Sequence, residues 1–194
     1  MHHLYHTEAF VIGSIPRSET AVSFLLLTKE YGLIYASAQG IRSSASKLKY
    51  ALQLYSLAQV TLVHGKAGWK ITTALPLANI YYLFVSKPHL QTLFARVFLL
   101  TKRLVLGEEA SKLFAICRAA VTFCESREVT LEDSRSLEVL LVVRILHELG
   151  YVGDLPKDIS LNNEDWSSEH LSKVSEHHIA LVEVINQAIE ESQL

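Results

Sequence analysis

Apolar and polar positions follow two different periods along this chain, and the period changes near residue 80. Before that point the apolar residues come in short β-rich runs closed by turn residues. Thr7–Ser14 is the first such run, ended by Gly13 and Pro16. Ala21–Thr28 is the second, followed by the turn Lys29–Gly32. Leu33–Ala38 alternates, with Leu33, Tyr35 and Ser37 on one face. Gln53–Val63 is a long strand candidate closed by His64 and Gly65, and Gly68–Leu77 is the fifth, with Trp69, Ile71 and Thr73 alternating. Short strands at about ten-residue spacing, separated by glycine turns, predict a small sandwich or barrel. Five strands match the count of the oligonucleotide-binding (OB) fold. The segment Gly40–Ala51 between the third and fourth runs is serine-rich and basic, which predicts a surface loop with at most one helical turn.

Beyond residue 80 the apolar residues recur at helical spacing. Pro88 opens a first helix carrying Leu90, Leu93, Phe94, Val97, Phe98 and Leu104 on one side. Glu108–Ser126 forms a second, with Leu113, Ile116, Cys117, Ala120, Val121 and Cys124 as its apolar face. Thr130 caps a third that runs to Leu149, with Asp133 at the capping-box position and Gly150 as the stop. A polar connector, 151–166, leads to a last helical region from Ser167 or Ser168 to about Ser192. The fold class expected is α+β: a five-stranded OB barrel over 1–80, then an all-α domain over 81–194 that packs as a bundle.

Charge sharpens this division. The 194 residues carry a formal net charge of -2, but residues 1–80 carry +4 and the remainder -6. A polyanion is therefore expected to dock on the first half. With 49% hydrophobic residues the chain has ample core material. No apolar stretch is long enough to span a bilayer, and no secretory signal is visible. Cys117 and Cys124, seven residues apart on one helix, would have Cα atoms roughly 10 Å apart, too far for a disulfide; core packing of reduced thiols is the expectation. Catalysis finds no foothold: there is no phosphate-binding Gly-rich loop ending in Lys-Ser/Thr, and His177 and His178 are adjacent, so on a helix their rings diverge by roughly 100°. The chain reads as a binding protein, not an enzyme.

Several short segments together resemble the bacterial recombination mediator family RecO. They are Thr7-Glu8-Ala9-Phe10-Val11-Ile12, Ser18-Glu19-Thr20, Thr28-Lys29-Glu30-Tyr31-Gly32-Leu33 and Ala38-Gln39-Gly40-Ile41-Arg42, continued by Ser46 and by Leu52 to Tyr55. Farther on, Arg144-Ile145-Leu146-His147-Glu148-Leu149-Gly150-Tyr151 and Leu155 keep the family's order. The resemblance implies an N-terminal OB fold with a helical second domain. It implies binding to single- and double-stranded DNA, strand annealing, and help in loading RecA onto strands coated by single-strand-binding protein, as part of the RecFOR pathway of repair and recombination. The implied partners are DNA, RecR and the acidic tail of single-strand-binding protein, and the implied location is the bacterial cytoplasm at the nucleoid. Two departures stand out. Many relatives carry four zinc-binding cysteines after the Leu-Gly-Tyr segment; here Gly153–Trp166 holds neither Cys nor His, so no cofactor is expected. The family commonly has Lys where this chain has Gln39.

An OB barrel that holds DNA needs cations along the phosphates and flat side chains for bases. The candidate cations are Arg17, Arg42, Lys47, Lys49, Lys66 and Lys70, all in or beside predicted turns. The candidate stacking residues are Tyr35, Tyr50 and Trp69, with barrel core as the competing reading for Trp69. Arg96, Lys102, Arg103, Lys112 and Arg118 are the helical domain's candidates for an acidic peptide. A protein-interaction scaffold without DNA binding is the alternative function, since fold alone does not fix function.

Overall fold

Five antiparallel and parallel pairings close the first part of the chain into a barrel of order β1-β2-β3-β5-β4. The strands are β1 (Leu4–Pro16), β2 (Ala21–Thr28), β3 (Gly32–Gln39), β4 (Ser56–Gly65) and β5 (Gly68–Asn79), with the one-turn helix α1 (Leu48–Ala51) between β3 and β4. This computed structural model describes residues 3–41, 43, 46–105, 111–153, 155, 159–161 and 166–192, the side chain of Ser111 excepted.

Period-2 side chains fill the barrel. Ala9 and Val11 of β1, Phe24 and Leu26 of β2, Ile34, Ala36 and Ala38 of β3, and Ala58, Val60 and Leu62 of β4 form one buried cluster. Leu33, Tyr35 and Ser37 thus share the outer face of β3, while the inner face is the intervening set. β1 is long because it serves two neighbours: Leu4–Phe10 pair with β4, and Ala9–Pro16 pair with β2. A bulge at Ile12, between Val11 and Gly13, bends it from one to the other. In β5 a bulge at Thr72 shifts the phase, so that Ile71 and Ala74 point inward and Thr73 lies exposed. The simple alternation Trp69, Ile71, Thr73 read from the sequence therefore breaks at its third member.

The segments that carry the family resemblance lock turns. Thr28 Oγ1 donates to the Gly32 carbonyl at 2.8 Å and accepts from the Tyr31 amide at 2.9 Å. The buried Thr7 hydroxyl donates to the Glu30 carboxylate, and the Lys29 amide donates to the Glu8 carbonyl at 3.0 Å. These bonds fasten the β2–β3 turn to β1. The fourth strand starts at Ser56, three residues later than expected, because Tyr55 turns the chain with φ at 65°. That left-handed backbone is unfavourable for a bulky residue. It is held by two bonds, Tyr55 amide to Val11 carbonyl at 2.8 Å and Ile80 amide to Tyr55 carbonyl at 3.1 Å.

The chain divides into two compact units, Met1–Ser86 with Leu106–Phe114, and Lys87–Val105 with Ala115–Leu194. Where the sequence places the division after residue 80, a short helix α2 (Ile80–Leu83), capped by the Asn79 side chain, remains in the first unit. The second unit contains α3 (Pro88–Leu104), most of α4 (Ser111–Ser126), α5 (Leu131–Glu148), α6 (Ser168–Glu176) and α7 (His178–Glu191). Pro88 takes the first position of α3. Thr130 and Asp133 form the reciprocal capping box of α5, and Gly150 leaves that helix with φ at 79°. The single terminal helix expected from Ser167 is broken at His177 into α6 and α7, and both His177 and His178 are half-buried.

α5 is the centre of this unit and packs against α3, α6 and α7. It is buried nearly all round from Ser134 to Leu146, Glu138 and Arg135 apart. On α4, Cys117 and Cys124 are free and buried, and burial pushes both thiols up to about 12. The thiolate is the reactive form, so neither thiol reacts with Ellman's reagent in the native protein at about pH 8. Both react in denaturant; rapid native labelling would show that α4 opens to solvent.

Candidate nucleic-acid interface

Three backbone bonds tie the basic turns of the barrel together. The β1–β2 turn carries Arg17 and is stapled by Ser18, whose hydroxyl accepts from the Thr20 and Ala21 amides at 3.3 and 3.1 Å. From it, the Thr20 carbonyl accepts from the Gly40 amide at 2.9 Å, fixing the exit of β3. The Ser43 amide donates to the Gly40 carbonyl at 3.2 Å and the Ser46 amide to the Ser43 carbonyl at 3.1 Å. This relay ends at Lys47, the residue before α1, and at Lys49 within it. Arg42 lies outside the described residues.

Lys70 joins the same side from β5. It pairs with Ser37 in the short parallel contact of β5 with β3, and its Nζ donates to Gln39 Oε1 at 3.3 Å. Gln39 thereby accepts where a second lysine would repel Lys70. Arg17, Lys47, Lys49 and Lys70 are all exposed. So are Tyr35, on the outer face of β3 at 48%, and Tyr50 on α1 at 70%.

Lys66 stands apart. It occupies the two-residue turn of the β4–β5 hairpin, closed by the Gly65–Gly68 pair, with Gly68 at φ 90°. An added Cβ there would meet nothing within 4 Å, so the demand for glycine is conformational. This hairpin lies at the β2–β3 turn end of the barrel, because Tyr31 of that turn sits 5.3 Å from Trp69. Arg17 is at the other end of β2, about 25 Å away for eight residues of strand. The sequence groups Lys66, Trp69 and Lys70 around one hairpin. In the structure they separate: Lys66 faces solvent at the barrel end, Lys70 turns toward β3, and Trp69 turns inward.

Trp69 is half-buried and packs on the barrel core. Its ring meets Tyr5 edge-on at 5.1 Å and His64 at 4.6 Å, besides Tyr31. The indole N–H is buried and has no hydrogen-bond partner among the described residues. Of the two readings open for Trp69, the geometry shows core. The aromatic plug of Tyr5, Tyr31 and Trp69 was not legible as a unit in the sequence, since its members are far apart along the chain and their common end appears only once the strands pair.

Of the five candidate cations expected for the helical domain, four lie in the second unit and Lys112 falls in the first. Arg96 Nε lies 2.9 Å from Glu138 Oε1, and Arg118 Nη1 lies 3.5 Å from Glu125 Oε2. Partial burial raises the Glu138 carboxyl pKa, and Arg96 opposes that shift. Lys102, Arg103 and Lys112 are exposed. No cluster of three or more His, Cys, Asp or Glu residues suited to a metal occurs among the described residues. Part of the connector, 154, 156–158 and 162–165, lies outside them. Among the described residues no helix is long and apolar enough to cross a membrane.

A closed five-stranded barrel of this strand order, with a helix between the third and fourth strands, is the oligonucleotide-binding barrel, here joined to a helical unit. Residues 1–79 match the family described as Recombination protein O N terminal. The chain is also similar to DNA repair protein RecO of Desulfitobacterium hafniense, strains DSM 10664 / DCB-2 and Y51. Each is 25% identical over 148 residues, covering 76% of this chain and 52% of the relative. The chain thus spans about half the length of the curated relatives it matches.

Proposed function

We propose that the barrel binds DNA along the side that carries Arg17, Lys47, Lys49 and Lys70, and that the protein acts in DNA repair and recombination. The observation that supports this reading is the relay of backbone bonds that joins the Arg17 turn to α1. It holds cations from separate turns beside one another on an OB barrel, where OB proteins bind strands through their turns and sheet face. Phosphate contacts position a nucleic acid without reading its sequence, so binding is sequence-tolerant. Tyr35 and Tyr50 supply exposed rings for stacking. Lys66 forms a lesser, separate contact at the hairpin end.

From the family resemblance follow the finer roles: annealing complementary strands, and helping to load RecA onto DNA coated by single-strand-binding protein. RecR and the tail of that protein are the proposed partners, the cytoplasmic nucleoid the proposed location, and binding rather than catalysis the proposed activity. For the tail, Lys102 and Arg103 are exposed cations of the helical unit. The test is fluorescence anisotropy with a labelled single strand across a salt series, together with annealing of two complementary strands. Tight binding that weakens linearly in log salt, with annealing, is expected. Absence of binding at low salt would leave the barrel a protein-interaction module.

A further inference from the structure

β5 has a strand on both sides for only a fraction of its length. β4 pairs with it from Gly68 to Asn79. β3 pairs with it at Trp69 and Lys70. Beyond Ile71, therefore, no strand among the described residues covers the edge away from β4. An uncovered edge presents a row of N–H and C=O groups ready to pair with another chain.

Beside this edge lies a groove of about 570 Å³. One wall is α1 and the residues before it, Ser46, Lys47, Leu48 and Tyr50; the other is every residue from Thr72 to Pro76. Successive side chains of a strand point to opposite faces. A groove that touches five in a row consequently follows the edge rather than crossing a face. The lining is chiefly apolar, and Leu75, 65% exposed, is its most prominent aliphatic side chain. Among the described residues of the lining, Lys47 is the one that is charged. Lys49 belongs to the same helix, and Lys70 stands where the open edge begins. The acids of this unit that the structure describes lie elsewhere: Glu8 on β1, Glu19 in the β1–β2 turn and Glu30 in the β2–β3 turn. Pro76 removes one donor and limits pairing to the stretch from Thr72 to Leu75.

We propose that this groove receives an extended, acidic protein segment that adds as a short strand to the open edge of β5. Main-chain bonds to Thr72–Leu75 supply the pairing, an apolar side chain seats against Leu48 and Leu75, and a carboxylate meets Lys47. Strand addition of this kind draws affinity from the backbone and specificity from alternate side chains. The inference goes beyond DNA binding and does not rest on it.

The probe is a labelled pool of capped peptides about nine residues long, long enough to overrun the open stretch at about 3.3 Å per residue. Asp or Glu alternates in it with Val, Ile, Leu or Tyr. Anisotropy with the full chain should show saturable binding, about tenfold weaker for Leu75→Glu and for a second pool with proline at the centre, a loss of about 1.4 kcal/mol in each case. Amide exchange at Thr72 to Leu75 should slow in the complex, and Lys29→Ala, in the exposed β2–β3 turn at the far end of the barrel, should leave peptide binding unchanged. Circular dichroism confirms that Leu75→Glu folds. No saturation by about 1 mM peptide, near the floor of measurable affinity, would overturn the proposal. So would equal binding of the proline pool. A Leu75→Glu variant that loses oligonucleotide binding, while the wild type ignores the peptides, would make the groove a nucleic-acid subsite and overturn it equally.

Discussion

With Lys47, Lys49 and Lys70 changed together to alanine, single-stranded DNA binds about a hundredfold more weakly at about 0.1 M salt, and the slope of log K against log salt flattens by about 2. Each phosphate neutralised by a cation releases part of a condensed counterion, about 0.7 per contact on a single strand. Three contacts therefore account for the change in slope. Extrapolated over one decade of salt from about 1 M, where this advantage vanishes, the same slope corresponds to two orders of magnitude in affinity. The three side chains are exposed, and among the described residues only Lys70 has a side-chain partner, Gln39, so folding should be unaffected and circular dichroism should be unchanged. The loss should be about equal across sequences, because phosphates carry no base information. Changing Arg42, Lys47 and Lys49 together, the three cations between β3 and β4, is expected to flatten the slope by the same amount, about 2. Lys66→Ala should cost less than one such contact. Anisotropy against salt measures all of these. An unchanged slope in the folded Lys47, Lys49, Lys70 variant would move DNA off this side of the barrel.

Arg144→Ala should destabilise the helical unit by about 3 kcal/mol, from a charge-assisted hydrogen bond of about 2 and a desolvated cation–π contact of at least 1. Arg144 is on α5 and 1% exposed, the largest fully buried side chain among the described residues. Its Nη2 donates to the Ser160 carbonyl at 3.1 Å, and its guanidinium lies 4.3 Å from the centre of the Trp166 ring. The amide of the same Ser160 donates to Nε2 of the buried His170 at 2.9 Å. Ser160 is thereby held at both its backbone groups, once from α5 and once from α6. Trp166 in turn packs 6.1 Å from Phe123, and Arg127 lies over the other ring of that pair at 4.5 Å. Removing Arg144 releases the connector and leaves a cavity in the most buried helix. The expected result is a midpoint of thermal unfolding lower by more than about 10 °C for a unit of this size, together with a red shift and loss of protection of Trp166 fluorescence. Arg144→Met fills the space and restores part of the stability but not the position of the connector. A variant with wild-type stability and unchanged Trp166 emission would show that Ser160 is held by other means.

Local signals were legible wherever one residue type has one physical use. β2 was readable to the residue, because its apolar run is bounded by the Ser18 turn and the Thr28 turn, each with side-chain bonds to its own backbone. Thr130, Asp133 and Gly150 marked both ends of α5 for the same reason: capping is a local hydrogen-bond requirement. The candidate cations were readable only as a set. Lys66 and Lys70 are four residues apart in sequence, but one turns to solvent at the barrel end while the other turns to Gln39 of β3. Arg17 and Lys47 are thirty apart, yet the Gly40 and Ser43 bonds link their turns.

What the sequence determined by itself is therefore the short-range part: five period-2 runs, then helical periods, their caps, and an excess of positive charge in the first half. These follow from the alternation of apolar residues and from bonds between residues a few positions apart. Only the tertiary structure decided which strand face is inner, where the β5 bulge resets the phase, that Trp69 plugs the barrel, that an edge of β5 stays open beside α1, and that Arg144 is buried on a helix surrounded on all sides. The physical reason is common to these cases. Each depends on a partner distant in the chain, and pairing register and packing, not composition, decide which side chain meets water and which meets protein.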